Sequence, residues 1–226
     1  MPWLLLILAL IGLLLYWELI LAEGAHLGPR VVVWLYDLIA PRYERIKQFD
    51  WETEATLIGR PLTEALIEVE TPRVLDVGAG TGRVARTLLR QMAFDGDILN
   101  VDLSWPMLKQ GQSECAAWPG RVHGLCAPAE ALPFANDTFE AVTCLEALEF
   151  LPSARGALRE YLRVLRPGGV LLLSNRIGWP ARLMPGKTFS RPAFRQLLTD
   201  YPLECVRVEP WQVEYDLAWA KKRFEI

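Results

Sequence analysis

A short apolar run, Arg73-Val74-Leu75-Asp76-Val77, passes directly into Gly78-Ala79-Gly80-Thr81-Gly82, and this junction constrains the chain more than any other feature. The run suits a buried strand, and glycines let the backbone turn sharply and approach a ligand with no Cβ in the way. Val84, Ala85, Leu88, Leu89 and Met92 then recur at spacings that place one apolar stripe on a helix. Gly96 and Asp97 make a turn, Ile98 to Val101 reads as a second strand, and Asp102 stands at its end. The result is a βαβ unit with an acid after its second strand, placed to accept hydrogen bonds from ribose hydroxyls.

The spacing of the glycines bears on the ligand. The dinucleotide pattern is GxGxxG, whereas Arg83 occupies the position of the third glycine here. A pyrophosphate needs that helix start, but a ligand whose glycine-bound part carries no phosphate does not. The P-loop reading fails because no Gly-Lys-Ser/Thr follows.

Downstream, Ser104 is suited to cap a helix whose first turn tolerates Pro106. Glu140 to Leu145 reads as a strand, with Glu146 and Glu149 just beyond it. Ligands bind at the carboxyl edge of an open α/β sheet, which brings Leu145 and both glutamates into consideration. A helix from Ser153 presents Leu158, Tyr161, Leu162 and Leu165 on one face, with Arg163 and Arg166 in its last turn and Pro167-Gly168-Gly169 as its stop. Val170 to Ser174 is a strand for the sheet interior, Arg191 to Tyr201 a helix, and Leu203 to Val208 and Gln212 to Trp219 the last two strands.

Together these residues resemble the class I S-adenosylmethionine-dependent methyltransferases, in particular the small-molecule branch that includes the ubiquinone and menaquinone methyltransferases. Val74 to Gly82 looks like the family's first motif, Asp102 to Leu108 its second, and Ala129-Glu130-Ala131-Leu132-Pro133-Phe134 the loop that lines adenine. RVLRPGG followed by an apolar strand is also similar. The resemblance implies S-adenosyl-L-methionine as cofactor. Gly78, Ala79 and Gly80 would lie against its methionine moiety with Asp76 nearby, Asp102 would hold the ribose, and Leu103, Ala129, Glu130 and Leu145 would complete the site. It further implies a Rossmann-like α/β fold, with a seven-stranded mostly parallel sheet, helices on both faces and a C-terminal antiparallel hairpin.

One departure concerns Pro128, which stands where the family commonly has a polar side chain and which offers neither a side-chain acceptor nor an N–H. The acceptor pocket is expected in the connection after the fifth strand, around Trp179, Met184 and Phe189. A sulfonium already activates the methyl group, so positioning can carry the reaction, and a base is needed only if the acceptor atom is still protonated. Glu146 and Glu149 are candidates by position, but no catalytic residue is assigned. Two alternatives stay open at this point: an NAD(P)-dependent oxidoreductase, and a tethered protein that binds S-adenosylmethionine without catalysis.

The N-terminal residues have a different character. Pro2 to Trp17 carries no charged side chain, and after Glu18 the run resumes through Ala22. As a helix this stretch would reach about 30 Å, the thickness of a bilayer's hydrocarbon core. Trp3, Tyr16 and Trp17 suit the headgroup level, and Glu18 could share that wet layer. Arg30, Arg42, Arg45 and Lys47 all follow the segment, which places the catalytic domain in the cytoplasm by the positive-inside rule. The expected organisation is a single-pass transmembrane anchor over 1–24, a linker and helical lid region over 25–70, and the methyltransferase domain over 71–226. A cleaved signal peptide and a buried core helix are the alternatives for the first segment, and a helix in the membrane interface or one packed on the domain core for the second. A membrane-held enzyme suits a small, lipophilic acceptor.

Net charge is −3 with both signs interspersed, so there is no basic stripe for a nucleic acid. Cys115, Cys126, Cys144 and Cys205 lack zinc-ligand spacing and read as buried free thiols, and no metal site is expected. His26 and His123 show no partner in the sequence.

Overall fold

The computed structural model describes residues 2–224. Its centre is a seven-stranded sheet in the order β3-β2-β1-β4-β5-β7-β6, built from β1 (Arg73–Val77), β2 (Asp97–Asp102), β3 (Val122–Cys126), β4 (Phe139–Cys144), β5 (Leu165–Arg176), β6 (Leu203–Gln212) and β7 (Tyr215–Lys222). β1 to β5 are mutually parallel, and β7 runs antiparallel to both β5 and β6, forming the expected hairpin. The strand order reverses at β1, which pairs with β2 on one side and β4 on the other. That switch point leaves a crevice at the carboxyl ends of β1 and β4.

Alternation along the strands divides the core in two. Leu75, Val77, Leu171 and Leu173 face α8 (Ala154–Val164) and α10 (Arg191–Thr199), where Leu158, Tyr161 and Phe194 are fully buried. Val74, Ala141, Val170 and Leu172 face α5 (Arg60–Leu66) and α6 (Arg83–Leu89), through Leu62 and Leu88. Helices cover both faces, which is why the central strands are almost wholly apolar.

Several boundaries differ from the sequence reading. α8 stops at Val164, and Leu165 already pairs with Phe139 of β4, so Arg166-Pro167-Gly168-Gly169 is the start of a 12-residue strand rather than a helix stop. The Arg166 guanidinium is held there by Glu140 and the Asp137 carbonyl. β6 runs on past Val208 to Gln212, so β7 keeps its predicted length but begins only at Tyr215, and Pro210 is tolerated because β6 is a sheet edge. All four cysteines are free, but only Cys115 and Cys144 are buried. Cys126 ends the edge strand β3 and is exposed, as is Cys205 on β6.

At the N-terminus α1 (Pro2–Tyr16) continues as a π-helical turn over Trp17–Leu21, and Trp3–Leu21 is long and apolar enough to cross a membrane. Its leucines are exposed along α1. Glu18 is buried within the protein: its carboxylate accepts a hydrogen bond from the His26 backbone N–H at 2.9 Å and lies 3.0 Å from His26 Nδ1. His26 therefore has a partner, whereas His123 is exposed on β3. Next come α2 (Pro29–Ile39), α3 (Tyr43–Lys47) and α4 (Trp51–Glu54), which lead to α5.

Gly96 tests how tightly the turn into β2 is packed, since a Cβ added there would lie 2.0 Å from the Pro72 carbonyl oxygen. That oxygen is fixed by the Asp97 N–H at 3.0 Å. Gly96→Ala is expected to cost at least roughly 1–3 kcal/mol, read as a lower urea midpoint with an unchanged slope.

Candidate active site

The crevice holds a cavity whose floor is the carboxyl edge of β1, β2 and β4. Each residue assigned to the cofactor from sequence lines it: Asp76, Gly78, Ala79, Gly80, Asp102, Leu103, Ala129, Glu130 and Leu145. The glycine turn is docked on the end of β2, because the N–H groups of Gly78 and Ala79 donate to the Val101 carbonyl at 2.8 and 3.1 Å. Gly78 has φ +68° and Gly80 φ +52°, both in the left-handed region that favours glycine. A Cβ on Gly78 would also lie 2.4 Å from the Ala147 Cβ, so the loop after β4 closes directly on this turn.

Two carboxylates sit at the cavity floor. The N–H groups of Gly80 and Ser104 donate to separate oxygens of Asp102, at 2.9 and 2.8 Å. Burial nevertheless pushes its carboxyl above the ordinary range. Asp76 is 2% exposed and accepts the Thr143 hydroxyl at 2.6 Å. Burial pushes this group up to about 7, against which the Thr143 hydrogen bond works only in part.

The walls come from the segment before β1, a contribution that sequence reasoning left unassigned between a lid, an interfacial helix and core packing. Pro29, Val32, Val33 and Tyr36 of α2, Tyr43 of α3 and Phe49 line the cavity opposite Phe150 and Leu151. Burial raises the Tyr36 and Tyr43 hydroxyls far above their ordinary value, so both remain neutral phenols. The segment is tied down by charge. Arg83 is paired with Glu54 of α4 and with Glu146, and Glu146 is also paired with Lys47. Glu44 accepts from Arg86 at 2.7 Å and from the Thr81 hydroxyl, and Asp37 accepts from Ser104.

Trp179, Met184 and Phe189 do not form an acceptor pocket. None lines the cavity: Met184 is packed with Ala22, Val32 and Phe150, Phe189 packs on the β-sheet core, and Trp179 is exposed. Glu146 lines the cavity, and Lys47 and Arg83 together hold its carboxyl below the ordinary range despite burial. Glu149 lies behind it, buried and raised by desolvation, accepting the Tyr215 hydroxyl at 2.7 Å. The residue that could have revealed the cover from sequence is Arg83, a large cation at a buried helix start that demands acidic partners from elsewhere in the chain.

The family described as a methyltransferase domain matches residues 74–169. Over 183 residues the chain is 31% identical to a demethylmenaquinone methyltransferase of Renibacterium salmoninarum, covering 80% of this chain and 68% of that one. The chain belongs to the S-adenosylmethionine-dependent methyltransferase family. A ubiquinone/menaquinone biosynthesis C-methyltransferase of Geobacter sulfurreducens is 36% identical over 137 residues, covering 60% of this chain and 54% of the relative. The chain thus spans little more than half the length of such a relative. The fold is shared with a crystal structure of an S-adenosylmethionine-dependent methyltransferase from Aquifex aeolicus, with TM-score 0.60 and 20% identity over 79% of this chain and 93% of that one. S-adenosylmethionine is the cofactor of this methyltransferase family, and membership sets the NAD(P) alternative aside. The carboxylate of Asp102 and the side-chain-free backbone at Gly78 and Gly80 are features that such a ligand needs.

Two outcomes follow from the buried charges. Asp76 in the unfolded chain ionises near 3.8 but in the folded chain only near 7, so its contribution to stability falls as pH rises between those values and is flat above them. Relative to Asp76→Asn, the ligand-free protein should lose up to roughly 4 kcal/mol across that window, measured by urea unfolding at a series of pH values. Arg83→Met removes the partner of Glu54 and leaves Glu146 with Lys47 alone, and should destabilise by roughly 3–5 kcal/mol in the same assay.

Proposed function

We propose that this methyltransferase transfers the methyl group of S-adenosylmethionine to a small, lipophilic acceptor, while the helix within residues 1–24 anchors it to a membrane. Residues 71–226 act as the catalytic domain on its cytoplasmic side and 25–70 as the cover of its site. The observation that carries the reading is the lining of one cavity, with carboxylates and bare glycine backbone on the floor and aliphatic and aromatic side chains on the walls.

When bound, S-adenosylmethionine supplies a methyl group already activated by its sulfonium. Asp102 would hold the ribose: each of its oxygens accepts one backbone N–H and retains lone-pair capacity for a hydroxyl. The turn at Gly78 to Gly80 would take the methionine moiety against its backbone. Asp76, whose carboxyl burial pushes up to about 7, would be held ionised beside the ammonium of that moiety. Leu103, Ala129, Glu130 and Leu145 would enclose the adenosine. Glu146 is a poor base, because Lys47 and Arg83 already stabilise its charge. The remaining work is positioning and water exclusion, for which Val32, Val33, Tyr36, Phe49 and Phe150 are suited. Relatives named for ubiquinone and menaquinone biosynthesis support a lipophilic acceptor of the quinone type.

Calorimetry on the full-length protein in detergent tests the cofactor assignment. Asp102→Ala is expected to weaken S-adenosylmethionine binding by about ten- to hundredfold, the loss of hydrogen bonds to a charged group. Methyl-labelled cofactor should then transfer label to lipophilic compounds and not to water-soluble ones. Binding without any transfer would identify a tethered cofactor-binding protein instead.

A further inference from the structure

The junction between α1 and the catalytic domain is a fixed joint. Trp17 Nε1 donates to the Leu183 carbonyl at 3.0 Å, and the Trp17 ring stacks on His26 at 5.4 Å. His26 in turn bridges the Glu18 carboxylate and the Pro185 carbonyl, at 3.0 and 3.1 Å. Just beyond, Ala22 and Ala25 are fully buried against Val32, Phe150 and Met184. A helix secured this way sets the orientation of the domain relative to whatever the helix spans.

Around this joint the surface is apolar. α2 turns about 100° per residue, so Val31, Trp34, Leu35 and Leu38 share one side while Val32, Val33 and Tyr36 lie toward the cavity. The first side adjoins the joint: a Cβ on Gly24 would lie 3.1 Å from Val31 Cγ1 and 3.2 Å from Leu35 Cδ1. On that side Trp34 is 54% and Leu38 58% exposed. α9 (Gly178–Arg182) leads into the residues that receive Trp17 and His26, and it carries Trp179 at 67% exposure. Arg30 and Arg182 are exposed on the same two elements. Large apolar side chains exposed in a group mark an interaction surface, and tryptophan with arginine is the composition of a headgroup-level face.

We infer that α2 and α9 dock against the bilayer through Trp34, Leu38 and Trp179, so that a single helix, α2, separates the lipid from the cavity. The occupant is lipid rather than a second protein because the apolar helix is joined to both elements, to the residues after α9 through Trp17 and to α2 through the turn at Gly24, which keeps them near the membrane plane. This inference rests on the reading of Trp3–Leu21 as a spanning helix.

Spin labels on the full-length chain in liposomes test it, with the exposed Cys126 and Cys205 changed to serine. Labels are placed at Trp34→Cys and Trp179→Cys, exposed positions whose replacement opens no core, and at Met92→Cys. Met92 is exposed in the turn before β2, at the sheet edge opposite the cavity. At 34 and 179, relaxation by oxygen should exceed that at 92, and relaxation by a water-soluble nickel chelate should be several-fold lower. Water-like values at all three positions, in liposomes from which alkaline carbonate does not extract the protein, would overturn the docking surface and leave the anchor intact. Extraction by carbonate would overturn both.

Discussion

The buried guanidinium of Arg83 is the point on which the site depends. It follows the glycine turn immediately, in a layer where an unpaired charge would be prohibitively costly. Its charge is met by Glu54 from the cover and Glu146 from the end of β4, and its faces lie on Phe49 at 4.6 Å and Trp211 at 4.5 Å. One side chain thereby fixes the glycine turn, the N-terminal cover and the terminal hairpin relative to one another. Arg86, on the same face of α6, repeats the arrangement with Glu44 and Glu114. The departure from GxGxxG therefore follows from this architecture: a glycine at 83 would leave Glu54 buried without a partner and Glu146 with Lys47 alone.

The cover presents apolar side chains inward and is held at its edges by ions. Such partly buried pairs contribute little net stability, since desolvation offsets most of their attraction. Their effect is on register, because a carboxylate that must meet two cations can do so in few positions. Around α2 the segment packs through a smaller buried apolar cluster than those on either face of the sheet, a condition under which local opening costs less than global unfolding.

The sheet was legible because its strands are short apolar runs punctuated by glycine and proline, and the cavity floor because the glycine turn and Asp102 lie within one βαβ unit. Local chemistry determines both. The misreadings share another cause. Pro167-Gly168-Gly169 has the composition of a helix stop, yet pairing of Leu165 with Phe139 converts it to strand. Glu18 and His26 are unremarkable apart, and their pairing depends on a turn that no local pattern announces. Resemblance alone points to Trp179, Met184 and Phe189 for the acceptor pocket, whereas the residues that line the cavity are Val32, Val33, Tyr36 and Phe49. Wherever two distant segments settle the outcome, the sequence supplied the residue types but not their partners.

The same reasoning links the N-terminal helix to the cavity. Glu18 is a carboxylate near the end of a strongly apolar segment, tolerated only because His26 receives it. That contact closes the turn from which α2 starts, and α2 carries Val32 and Tyr36 into the cavity wall. Separating Glu18 from His26 would leave a buried acid unmet and free the start of α2 together, so the joint has no inexpensive intermediate state. The position of the N-terminal apolar helix and the shape of the cavity wall are for this reason linked, through the short stretch from Trp17 to Tyr36.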